Sequence, residues 1–191
     1  MKPYLITDPY LYTQNYESFE QSLTTALQSH TVNLACFRDK TYTNLYALSK
    51  IFTSVCRDFS VTTYIHSSIK LAIKARACGV HLPSSRIYEA SRGKDRGLKV
   101  ICSTHTEEEA IRAYELGSDS ITFSPIFKDK YKYKQNLEGL KKLLSLNLPI
   151  KIYALGGIIS QEQIHHLQNL PKLEGFASIR YFMANASNQR D

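Results

Sequence analysis

Short β-branched or aromatic runs recur along the whole chain, and their apolar character is continuous rather than alternating. Eight stand out: residues 4–7 (YLIT), 32–37 (VNLACF), 61–65 (VTTYI), 79–82 (GVHL), 98–103 (LKVICS), 119–124 (DSITFS), 149–155 (PIKIYAL) and 174–179 (EGFASI). Continuous runs suit strands covered on both faces, as in parallel sheets. Between them lie segments with helical spacing. Residues 17–30 place Phe19, Leu23, Ala26 and Leu27 on one face, and residues 106–117 carry Ala110, Ile111, Ala113, Tyr114 and Leu116 before Gly117 closes the helix. Residues 136–147 and 160–170 show the same pattern. Thr106 followed by Glu109 reads as a capping box, so a helix is expected to start right after His105.

Strand then helix, repeated with no linker, internal repeat or low-complexity tract, predicts α/β architecture in a single domain over residues 1–191. Eight strands in that rhythm close most simply into a (β/α)8 TIM barrel. The alternative is a doubly wound open sheet, which usually carries a Gly-rich turn after its first strand. Here that turn reads Thr7-Asp8-Pro9-Tyr10.

Composition narrows the class. Hydrophobic residues make up 43% and charged residues 21%, a mix that buries a core and still dissolves. No stretch approaches the ~20 apolar residues of a membrane helix, and the N-terminus runs straight into the first strand. A cytoplasmic protein with no membrane partner is expected. Cys36, Cys56, Cys78 and Cys102 show neither Cys-x-x-Cys nor zinc-like spacing, so buried reduced thiols and no metal site are expected. The net charge is +7, yet outside residues 128–134 (KDKYKYK) the cations are scattered. That distribution favours a local phosphate site and no nucleic-acid partner.

Barrels of this kind do their chemistry at the C-terminal ends of the strands. Arg38 and Lys40 alternate across Asp39 after the second run, which points both cations one way to grip an anion or leaves them ion-paired to Asp39. Gly156-Gly157-Ile158 follows the seventh run and precedes a helix capped by Ser160, a place where backbone N–H groups cradle phosphate or simply turn the chain. His105, two residues after Ser103 and beside a helix N-terminus, suits a neutral base or a cap. His66 has a weaker claim, His81 reads equally as a satisfied core histidine, and His165 and His166 read as structural.

Six of these pieces come in register. YLITD (Tyr4 to Asp8), FRDK (Phe37 to Lys40), GVHLPSS (Gly79 to Ser85), CSTHTEEEA (Cys102 to Ala110), residues 117–127 ending in FSPIF, and ALGGI (Ala154 to Ile158) resemble the thiamine phosphate synthase/TenI superfamily. The resemblance implies a small barrel that binds a thiazole phosphate and, in the synthase, a pyrimidine diphosphate with magnesium. It implies Arg38 and Lys40 on the diphosphate or carboxylate side and Ser103 lining the site. Lys132 matches the lysine of the loop after the sixth strand, while Gly156, Gly157 and the backbone near Ile179 would hold the thiazole phosphate.

The chain departs from the synthase where that family carries its magnesium carboxylates, with His66-Ser67 after the third strand and Arg86 after the fourth. A hard divalent cation needs such anions. The expected activity is therefore TenI-type thiazole tautomerisation with no cofactor, His105 moving the proton and His66 lining the pocket. A divergent synthase, for which magnesium would be needed, and a non-catalytic binding barrel are the alternatives. After Phe182 only nine residues remain, MANASNQRD, too few and too polar for a normal eighth helix. A bare strip beside the first and eighth strands follows, with docking or homo-oligomer formation to cover it.

Overall fold

The computed structural model describes residues 1–12, 15–39, 45–127 and 137–183. Its strands are β1 (Lys2–Ile6), β2 (Leu34–Phe37), β3 (Thr62–His66), β4 (Gly79–Leu82), β5 (Lys99–Thr104), β6 (Ser120–Phe123), β7 (Lys151–Leu155) and β8 (Leu173–Ser178). Its helices are α1 (Tyr16–Ser29), α2 (Leu45–Asp58), α3 (Ile69–Lys74), α4 (Ala90–Asp95), α5 (Glu107–Glu115), α6 (Leu137–Ser145) and α7 (Gln161–Gln168). Short 3-10 turns cover Ser84–Glu89 and Tyr181–Met183. Each strand pairs in parallel with the next, and β8 returns to β1 to close the barrel. The eight expected strands and the TIM-barrel closure are therefore present.

The continuous apolar runs have a direct cause. Alternate side chains of each strand enter one of two cores. Tyr4, Ile6, Leu34, Cys36, Tyr64, Ile101, Tyr153 and Ala177 fill the barrel interior. Their neighbours Leu5, Ala35, Phe37, Ile65, Val80, Val100 and Ile121 face outward into the layer shared with the helices. Three tyrosines occupy most of the interior, with the Tyr4 ring centred 6.0 Å from Tyr64 and 5.8 Å from Tyr153.

Glycines on two strands make the room for these rings. A Cβ on Gly79 would meet the Lys99 carbonyl oxygen and stand 2.6 Å from the Tyr64 ring. One on Gly175 would meet the Lys2 carbonyl oxygen and stand 2.8 Å from the Tyr153 ring.

On the outside, α1 buries Phe19, Leu23, Ala26 and Leu27 as its spacing predicts. Helix α2 buries Leu48, Phe52, Val55 and Cys56 in the same rhythm, although the pattern reading does not single it out. At six residues each, α3 and α4 are too short to display a period. Ser160 and Gln163 form a reciprocal capping box on α7. On α5 the box is displaced: Thr106 Oγ1 accepts from Glu109 N at 3.2 Å, but Glu109 Oε2 reaches one residue further back, to His105 N at 2.6 Å. Cys36, Cys56 and Cys102 are buried and reduced, whereas Cys78 is exposed because it lies in the turn before β4. No helix among the described residues is long and apolar enough to cross a membrane.

The bare strip expected beside β1 and β8 is covered. The Tyr181–Met183 turn folds back so that Phe182, only 2% exposed, stacks on Phe176 of β8 at 6.0 Å and meets His30, just beyond α1, edge-on at 5.6 Å. The described residues thus place a single turn where other strands have a helix. Replacing Phe182 by Ala is expected to cost about 3–5 kcal/mol, the range for deleting a buried ring. Urea unfolding of the purified variant checks this, and a loss below ~1 kcal/mol would mean that the seam does not depend on Phe182.

Candidate functional site

The barrel mouth is built around a buried histidine. His81 lies on β4 facing inward, with Nδ1 2.8 Å from the Tyr4 hydroxyl and Nε2 2.9 Å from Ser103 Oγ, while Thr122 Oγ1 stands 3.5 Å from the same Nε2. A neutral imidazole has one donor and one acceptor nitrogen, and hydroxyls adapt to either, so these partners satisfy the ring without a charge. Burial, then the nearby His66 and Arg38, push its pKa down from 6.5 to about 3. The core-histidine reading of His81 holds. What it adds is a fixed position for Ser103, whose hydroxyl is held at the inner edge of the mouth.

Polar residues at alternate positions of β6 were the signal for this wall. Ser120 and Thr122 share the inward face of a strand whose other residues, Ile121 and Phe123, are fully buried outside the barrel. A continuous apolar run hides Thr122, and Tyr4 is hidden the same way in β1.

His66 ends β3 with its ring 5.9 Å from that of His81 and Nδ1 2.8 Å from Ser67 Oγ. His105 follows β5, with Nδ1 2.8 Å from the Ser124 carbonyl oxygen and 3.3 Å from Ser124 Oγ. A carbonyl only accepts, so Nδ1 carries the proton and Nε2 is the basic atom of the neutral ring. The backbone N–H of His105 also donates to Glu109 Oε2, so strand end and helix start are fastened together there.

The glycine turn lies against the same corner. Gly156 has φ of +101° and Gly157 of +78°, left-handed values that favour glycine. A Cβ on Gly156 would stand 2.9 Å from Cα of Pro125, next to Ser124. Phe127 N donates to Gly156 O at 2.8 Å and Gln163 Nε2 to Gly157 O at 2.9 Å. With the carbonyls engaged, the N–H edge is the side of the turn that can meet an anion. Ser178 Oγ donates to Ile158 O at 2.7 Å and accepts from Tyr181 N at 3.2 Å, which holds the Gly156-Gly157 turn beside Ile179 at the end of β8. His105, Gly156, Gly157 and Ile179 thus belong to one side of the mouth.

Arg38 stands on the other side. Its Nη1 pairs with Asp8 Oδ2 at 3.1 Å, and its backbone N donates to Thr7 Oγ1 at 2.9 Å. Asp39 is the partner that the alternative reading of the FRDK motif offers. The ion pair instead joins the ends of β1 and β2, adjacent in the barrel though thirty residues apart in the chain. Lys40, Lys132 and the lysine-rich segment 128–134 lie outside the described residues.

The donor set at the ends of β3 and β4 does not fit a magnesium ion. In place of carboxylates stand Ser67 and Arg86, whose guanidinium Nη1 donates to Ser67 O at 2.6 Å. Glu89 and Asp8 are each held by an arginine, and no group of three or more His, Cys, Asp or Glu side chains gathers among the described residues. A cation already occupies this corner, and its charge opposes a divalent ion at short range.

Comparison with known proteins agrees with the architecture. The sequence profile of the family described as Thiamine monophosphate synthase matches residues 3–180. The Aquifex aeolicus (strain VF5) protein named Putative thiamine-phosphate synthase 2 is 31% identical over 159 residues, covering 81% of this chain and 84% of that protein. A thiamine-phosphate synthase of Bacillus cereus is 32% identical over 115 residues, covering 58% of this chain and 52% of that one, so the match spans about half its length. The solved thiamine phosphate pyrophosphorylase from Pyrococcus furiosus superposes with a TM-score of 0.77 at 22% identity, covering 93% of this chain and 85% of that one. At that identity the superposition speaks for the fold.

The buried imidazole makes stability depend on pH. The unfolded chain takes up a proton near pH 6.5, whereas folded His81 resists until about pH 3. Stability from this group is therefore full above pH 6.5 and falls with decreasing pH through that window, at up to about 1.4 kcal/mol per unit. Urea unfolding at pH 7, 5.5 and 4.5 should show a steeper loss for the wild type than for His81→Gln. Parallel curves would mean that His81 titrates alike in both states.

Proposed function

Since the chain belongs to the thiamine monophosphate synthase family, we propose that it is a transferase of that type. It would couple a phosphorylated thiazole to a pyrimidine-methyl diphosphate at the barrel mouth. The names of the relatives favour this coupling over the tautomerisation that the sequence motifs suggest. In the coupling the thiazole nitrogen forms a bond to the pyrimidine methylene as the C–O bond to diphosphate breaks. The chain's own residues then have two tasks. The Gly156-Gly157 turn and the adjoining β8 end offer N–H groups to the thiazole phosphate, and Arg38 supplies positive charge toward the departing diphosphate, a role the resemblance extends to Lys40. Ser103, oriented by His81, lines the space between. Magnesium does not fit the residues present, so no step is assigned to it.

The tautomer of His105 favours a second reading. With Nδ1 held on the Ser124 carbonyl, Nε2 can take a proton from one atom of a bound thiazole carboxylate phosphate and return it to another. That shift makes the ring aromatic and needs no metal.

Incubating the purified chain with both substrates, and separately with the non-aromatic thiazole phosphate, decides between them by product chromatography. Coupling is the expected outcome, with Arg38→Ala lowering kcat/KM at least ~10-fold, the loss expected for one charge contact. Aromatisation without coupling, abolished in His105→Ala, would establish the second reading. Binding of thiazole phosphate without either product would leave a non-catalytic barrel.

A further inference from the structure

A second cationic feature lies outside the mouth. Between α3 and α4 runs a cleft of about 490 Å³, within the 300–1,000 Å³ typical of small-molecule sites. Its walls carry Lys70 and Lys74 from α3, Arg92 from α4 and Arg96 just after it, and Arg86 with Glu89 from the preceding 3-10 turn. The Arg86–Glu89 pair is closed on itself, Nε to Oε1 at 2.5 Å and Nη2 to Oε2 at 2.7 Å, so its charges cancel. Lys70, Lys74, Arg92 and Arg96 form no ion pair among the described residues. All four are exposed. Four like charges around one concavity repel one another and gain when an anion enters.

We propose that this cleft is a second anion site, one that binds a small polyphosphate without a divalent cation. The ligand class follows from size and charge. One phosphate carries too little charge to meet four cations, whereas a di- or triphosphate matches them and fits the volume. A nucleic acid would need a basic track continuing beyond the cleft, and outside residues 128–134 the remaining cations are scattered. Ile73 lies exposed on the α3 wall and offers apolar contact to an organic group esterified to the phosphates.

The site is distinct from the mouth but adjoins it. Arg86, which walls the cleft, donates to the Ser67 carbonyl oxygen, and Ser67 Oγ contacts His66 at the end of β3. The proposal does not rest on which reaction the mouth performs.

The test is titration calorimetry of the full chain with inorganic pyrophosphate and tripolyphosphate at low salt in EDTA. The double variants Lys70→Gln/Lys74→Gln and Arg92→Gln/Arg96→Gln alter exposed side chains only, and circular dichroism confirms that they fold. Each should weaken binding at least tenfold in the Arg38→Gln background, where the diphosphate grip proposed for the mouth is removed. No binding in that background, or equal affinity in the double variants, would overturn the site. A 12-nucleotide RNA that binds more tightly than tripolyphosphate at 150 mM salt, and is lost in the same variants, would overturn it in favour of a nucleic-acid face. Two sources share this chemistry, a substrate's diphosphate and a free effector. A KM rise for the diphosphate substrate in the double variants identifies the first; unchanged KM, with activity that responds to added tripolyphosphate only in the wild type, identifies the second.

Discussion

The mouth of this barrel depends on how its interior is filled. Three tyrosine rings share the lumen because two facing strands give up their Cβ atoms at Gly79 and Gly175. Above them the Tyr4 hydroxyl is the only polar tip that reaches His81 Nδ1 among the described residues, and His81 in turn fixes Ser103. A core of aliphatic side chains would fill the same volume but would offer that imidazole no partner, and an unpaired buried imidazole costs free energy. Packing below and chemistry above are thus joined through one side chain.

The mouth divides by chemistry. One side gathers backbone groups: the left-handed glycine turn, the β8 end held by Ser178, and the Ser124 carbonyl that sets the His105 tautomer. The other side carries Arg38, tied to Asp8. Backbone amides position a phosphate by geometry, and arginines meet it by charge. A ligand phosphorylated at both ends, or two phosphorylated ligands, would find a different kind of grip at each side.

Much of the fold was legible because every strand is buried on both faces, which leaves runs too apolar for anything else. Helix ends were legible where a side chain caps the backbone locally, as at Thr106 and Ser160. What escaped depends on neighbours in space. Arg38 pairs with Asp8 rather than the adjacent Asp39 because β1 and β2 end side by side. Glu109 prefers the N–H of His105 to that of Thr106, a choice of one residue that spacing rules do not resolve. Cys78 is exposed because it sits in a turn, though its residue type suggests burial. Phe182 was the largest surprise, since counting residues after it left no room for a helix but said nothing of a ring folding back.

That ring changes how the barrel holds its last seam. Other strands are followed by helices of six to fourteen residues; among the described residues the junction of α1 with β8 is backed by one aromatic plug on a three-residue turn. Stability in a closed sheet is shared around the circle, yet local opening starts where the least surface must be exposed. The Tyr181–Met183 turn that carries the plug also hangs from Ser178, whose hydroxyl donates to Ile158 O beside the Gly156-Gly157 turn. One hydroxyl thus ties the closing seam of the barrel to the loop after β7.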